Sequence, residues 1–122
     1  MREILFRGKN FKGEWEYGVP VFSGLNNELA FMKQMHSYDH QVIPETVGQY
    51  TGLTDKNVTK IFEGDIVDIL TENGEIGVIA YNDGGFLVEA DTFCVTFQDN
   101  INGTDVEIIG NIHDNPELLE VK

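Results

Sequence analysis

Two histidines set four apart, His36 and His40, with Asp39 beside the second, are the residues in this 122-residue chain whose spacing first suggests chemistry. On a helix that spacing would aim both imidazoles at one metal ion. The surrounding sequence lacks helical periodicity, no glutamate follows His36 as in zinc proteases, and no third ligand stands nearby. Solvated loop histidines and no bound metal are therefore expected. Cys94 is the single cysteine. As a nucleophile it would need a base brought close by the fold, with His113 or His36 as candidates. Its neighbours Phe93, Val95 and Phe97 instead describe a buried strand in which a free thiol packs as a small apolar group. The pairs Glu63 and Asp65, and Asp105 and Glu107, are each two apart and could share a strand face as an acid and a base. Nothing marks them above the general excess of acids. With no glycine-rich phosphate loop, serine-centred elbow or cysteine pair, the sequence predicts no catalytic residues, no cofactor and no enzyme.

The elements that would hold these groups read as strands. Eight Phe, four Tyr and one Trp supply large apolar side chains, while thirteen Gly against three Pro point to many tight turns and few helices. A chain of this length suits one domain, with residues 1–42 as an N-terminal hairpin and variable loop and 43–122 as a signature block and barrel core. Ile4 and Phe6 lead through Gly8-Lys9-Asn10 to Trp15, Tyr17 and Val19, which share a face at period two. Residues 23–41 are ambiguous, since Leu29, Phe31, Met32 and Met35 fit a strand or a helical turn, and this is the segment expected to vary and move most. Five strands follow from Asp65 to Ile112, with Asn73-Gly74, Asp83-Gly84-Gly85 and Asn102-Gly103 as turns. Glycines at the corners suggest a small, strongly bent SH3-like barrel. Asn115, as cap, and Pro116, at the first helical position, predict a short terminal helix.

Charge is unevenly spread. The net charge is −13, and between Lys60 and Lys122 there is no Lys or Arg, whereas fourteen Asp and Glu lie there. Half of the basic residues, Arg2, Arg7, Lys9 and Lys12, fall in the first twelve positions. Affinity for phosphate backbones comes from Lys and Arg displacing counterions, so the acidic half is no nucleic-acid surface. It reads as a solvated skin, or as a face that attracts a basic partner, in the limit by imitating DNA. The N-terminus shows no cleavable leader and no apolar run approaches membrane-spanning length, so a cytoplasmic location is expected; one cysteine fits a reducing interior.

Several segments resemble one family. Arg2-Glu3-Ile4-Leu5-Phe6-Arg7-Gly8-Lys9, Gly13-Glu14-Trp15, residues 43–53 (IPETVGQYTGL), Asp55-Lys56-Asn57, residues 61–67 (IFEGDIV) and residues 108–119 (IIGNIHDNPELL) are similar to the YopX family. The resemblance implies a YopX-type SH3-like β core and an origin in a bacteriophage or prophage, and it brings no catalytic residues. One position departs from it: where the family continues Asp-Lys-Asn with Gly, this chain has Val58. A β-branched residue disfavours positive φ, so the left-handed residue of this turn is expected at Asn57 and not at Val58.

The signature block reads as structural, with Gly48, Gly52 and Gly64 at bends and Asp65, Thr51 and Thr54 closing turns. Gln49, Tyr50, Thr51 and Lys56 are the alternative, a loop surface for a ligand. Two functional classes follow. The first is a non-catalytic, phage-encoded binding or interaction module working in the bacterial cytoplasm and self-associating, with an acidic, DNA-imitating inhibitor of a host protein as its host-directed form. The second is a nucleic-acid binder placing Arg2, Arg7, Lys9 and Lys12 on phosphates and stacking bases on Trp15 or Tyr17, unless those basic residues merely decorate an edge strand.

Overall fold

The computed structural model describes residues 5–34, 38–70, 75–82, 84–90, 94–96 and 105–119, the backbone alone at 94–96. Eleven strands appear among them: β1 (Phe6–Lys9), β2 (Trp15–Ser23), β3 (Leu29–Lys33), β4 (His40–Val42), β5 (Gly48–Thr54), β6 (Lys60–Phe62), β7 (Asp65–Ile69), β8 (Glu75–Asn82), β9 (Gly85–Ala90), β10 (Cys94–Thr96) and β11 (Val106–Asn111). One sheet has the order β4-β3-β2-β1-β5-β6 and the other β10-β9-β8-β7-β11. The mainly-β reading holds, and the five strands expected after Asp65 form the second sheet.

Two expectations need correction. No closed barrel forms among the described residues: β10 and β11 end one sheet, β4 and β6 the other. Glycine spacing signals bends without fixing which strands close on which. The C-terminal helix is a single 3₁₀ turn, Pro116–Leu119, following Asn115, whose amide donates to the Asn111 carbonyl. Four residues are too few to propagate an α-helix. Of the two readings of the stretch after residue 23, the strand holds for Leu29, Phe31 and Met32, because Ala30 and Met32 alternate into a core; β4 follows at His40–Val42, and Met35 lies outside the described residues. The turns expected at Asn73-Gly74 and Asn102-Gly103 lie outside the described residues.

The chain divides into two compact units, Met1–Tyr50 and Thr51–Lys122. In the first, Ala30, Met32 and Val42 are fully buried with Phe6 and Val47 against them. In the second, Ile61, Val67, Ile69, Ile79, Phe86, Val88 and Val106 form the larger core. Register explains its membership: Val67 faces Ile108, Ile69 faces Val106, and Ile79 faces Val88, so one side of two ladders is apolar. Tyr81 and Phe86, also a facing pair, meet edge to face with ring centroids 4.9 Å apart.

The polar turn after β5 organises the second unit. Asp55 is 2% exposed. Its Oδ1 accepts the amides of Asn57 (2.9 Å) and Thr59 (3.0 Å), and its Oδ2 accepts that of Ile108 (3.0 Å). With the Val58 amide donating to the Asp55 carbonyl and the Asp55 amide to the Thr59 carbonyl, residues 55–59 form a three-residue hairpin loop that ends on a left-handed residue. That residue is Val58, at φ 64°, contrary to the expectation of Asn57. Five hydrogen bonds fix the loop's path, and together they outweigh the strain of a β-branched residue in the left-handed region, of order 1–2 kcal/mol. Since the Val58 side chain is 77% exposed, its removal forfeits little packing. Val58→Gly is therefore expected to raise the unfolding free energy by about 1 kcal/mol in urea titrations, and an unchanged or lower value would contradict this account.

Burial works against ionisation of Asp55, but the amides of Ile108, Thr59 and Asn57 and the nearby Lys56 charge outweigh it and hold the carboxyl below its ordinary range. A carboxyl depressed in the folded state stabilises the fold above the unfolded value, about 3.9, and loses that contribution as pH falls through the folded value. Asp55→Asn should accordingly be less stable than the wild type at neutral pH, with the gap closing below about pH 4. A gap of constant size in thermal melts across that range would rule the charge out as the cause.

Candidate functional site

Register sorts the first unit into two faces. Opposing residues in an antiparallel ladder point the same way, and Phe6, Gly8, Glu16, Gly18, Ala30, Met32, His40 and Val42 share the side that carries the core. Glu16 is the anomaly, a carboxylate in register with apolar residues. Its side chain is mostly buried and is met by polar donors from three elements. Asn10 Nδ2 donates to Oε2 at 2.8 Å, Gln34 Nε2 to Oε1 at 3.4 Å, and His40 Nδ1 lies 3.4 Å from Oε1. Such partners are what a half-buried carboxylate requires. Beside them opens a groove of about 490 Å³ lined by Asn10, Phe11, Lys12, Glu14, Glu16, Asp39, His40 and Gln41.

The groove gathers a histidine and three carboxylates, yet its lining holds no hydroxyl or thiol for His40 and Glu16 to activate. Asp39, which the sequence sets beside His40, forms its ion pair with Lys33 at 3.5 Å, while the carboxylate at the imidazole belongs to Glu16. Among the described residues no three His, Cys, Asp or Glu side chains converge as a metal site would demand. His36 and the Cys94 side chain lie outside the described residues. His113 is exposed, and its backbone amide donates to Asn111 Oδ1 at 3.0 Å. Asp65 is buried and accepts the Phe62 amide at 2.8 Å, closing the turn that Gly64 makes at φ 94°. Glu107 pairs with Lys56 at 3.6 Å. Of the alternative ligand surface, Tyr50 and Thr51 are buried and only Lys56 is fully on the outside.

The opposite face holds two of the four basic candidates, Arg7 and Lys9; Lys12 is exposed in the turn between β1 and β2, and Arg2 lies outside the described residues. Arg7 faces Tyr17 and Lys9 faces Trp15, so basic and aromatic residues interleave as the nucleic-acid reading requires. Their exposure is the reverse of what it requires. Arg7 is 8% and Lys9 9% exposed. The Arg7 guanidinium sits 4.0 Å and the Lys9 ammonium 4.6 Å from the Trp15 ring centroid, and Lys9 Nζ also donates to the Gly13 carbonyl at 2.9 Å. These cations hold a tryptophan in place. Nor do they decorate an edge, because β1 lies between β2 and β5. The sequence sets Trp15, Tyr17 and Val19 on one face at period two, as the register has them, but says nothing of the burial of Arg7 and Lys9 beside them. It also leaves Glu16 unnoticed, although its alternation between Trp15 and Tyr17 is the signal that it points the other way. Trp15 is the only tryptophan, and its emission is expected to stay unchanged when single-stranded or duplex oligonucleotide is added at low salt. Quenching that salt reverses would restore the nucleic-acid reading.

Comparison with known proteins places these features in a family. No helix among the described residues is long and apolar enough to cross a membrane, and no curated protein matches the chain. The crystal structure of protein EF1440 from Enterococcus faecalis is similar at a TM-score of 0.65 and 32% identity, over 98% of this chain and 99% of that one. The family model described as YopX protein matches residues 6–120, so the chain belongs to the YopX family.

Proposed function

We propose that the chain is a non-catalytic interaction module of phage or prophage origin, working as one domain in the bacterial cytoplasm and pairing with a second copy of itself through the outer face of β2 and β3. The observation that carries this reading is the composition of that face. Tyr17, Val19 and Val21 stand on it in succession with Leu29 and Phe31 alongside by register, and Val19 is 53% exposed. Exposed apolar area gathered on one sheet face gains free energy when a partner covers it.

Charge supports a second copy as that partner. Two chains of net charge −13 repel one another. The strand residues of this face include no carboxylate, and the charge of its exposed Lys33 is balanced by Asp39 at 3.5 Å, so here two copies can approach without setting unbalanced like charges together. Asp55 and Asp65 of the signature block are engaged in holding turns, and the outward apolar residues are the means of contact. Val19→Lys places two ammonium groups in such a contact and should weaken self-association at least tenfold in sedimentation equilibrium while leaving the melting temperature within a few degrees. A wild type that stays monomeric at tens of micromolar would remove the proposal.

A further inference from the structure

We infer that the 55–58 loop and Asn115 together guard the free edge of β11, and that without this guard the five-stranded sheet adds a strand from a second copy of the chain. Among the described residues β11 ends its sheet, so the backbone groups it does not give to β7 point outward. Four of them are taken. The Val106 carbonyl accepts the Lys56 amide at 3.1 Å, the Ile108 amide donates to Asp55 Oδ2 at 3.0 Å, and beyond the bulge at Ile108/Gly110 the Asn111 amide donates to Asn115 Oδ1 at 3.2 Å while the Asn111 carbonyl accepts the Asn115 amide at 2.8 Å. Two backbone amides and two side-chain oxygens stand where a neighbouring strand would be. Gly110 permits the close approach on one side, since a Cβ there would meet the Asn115 side chain. On the other side Lys56 and Asn57 both reach Glu107, tying the loop to the strand it covers.

The edge suits a copy of itself. An antiparallel pair of β11 strands centred on Glu107 would set Val106 of one against Ile108 of the other, so the two groups the loop now satisfies would satisfy each other. The sequence Val106-Glu107-Ile108-Ile109 is rich in β-branched residues. Glu107 would then face its own copy, so the added strand should hold better as salt rises.

Asp55→Ala tests this in the Val19→Lys background, which separates it from the contact proposed above. Ile79→Ala in the same background is the control, because it weakens the core and leaves the guard in place. In sedimentation velocity the Asp55→Ala chain is expected to show at least a tenfold larger fraction above monomer than the control. Amide exchange at Ile108 should be slow in that assembled fraction. Should Asp55→Ala fail to fold, Asn115→Ala at the other end of the same edge carries the test with the same outcomes. A folded, monomeric variant, or assembly no greater than that of Ile79→Ala, would overturn the inference.

Discussion

A single buried carboxylate, that of Asp55, ties together two distant parts of the second unit. Three backbone amides converge on it, two from its own loop and one from β11, more than fifty residues further along the chain. Charge-assisted bonds of this kind are worth roughly twice a neutral one. In the interior a carboxylate left without donors would be costly, so the loop and β11 are each held in place by the other. The conformation of Val58 follows from this. The loop keeps the path its hydrogen bonds dictate and imposes a positive φ on a residue that resists it.

The same logic recurs at the C-terminal end, where Asn111 Oδ1 accepts the amides of His113 and Asp114, and Asn115 reaches back to the Asn111 amide. Short polar side chains that bond to nearby backbone define the path of a turn without a large core. The segments through which the chain resembles its family supply core residues such as Ile61 and Val67 and turn-holding polar groups such as Asp55 and Asn111. Such a set leaves chemistry unspecified.

Sequence reasoning reached the strands because alternation is a local signal: β7, β8, β9 and β11 lie within about a residue or two of where periodicity and Asn-Gly turns put them. It failed where the deciding partner is remote. Nothing local to Asp55 signals its bond to Ile108, so residue types alone point to Asn57 for the positive φ that Val58 in fact adopts. Arg7 and Lys9 look like surface cations in any local window, and only the placement of β1 between β2 and β5 buries them on Trp15. Glu16 was legible in principle, since alternation turns it to the core side, but the Asn10, Gln34 and His40 that satisfy it come from a loop, a strand end and another strand. Barrel closure was the furthest from reach, because it depends on which edges meet.

Val58 bears on how long the molecule lasts as well as on how it folds. The relaxed alternative, glycine, would follow Asn57 and create the dipeptide whose backbone nitrogen most readily attacks the asparagine side chain, closing a succinimide ring that opens to aspartate or isoaspartate. A branched Cβ crowds that nitrogen, and the Val58 amide is already committed to the Asp55 carbonyl at 2.9 Å. The loop thus carries conformational strain in a form that protects Asn57 from chemical ageing.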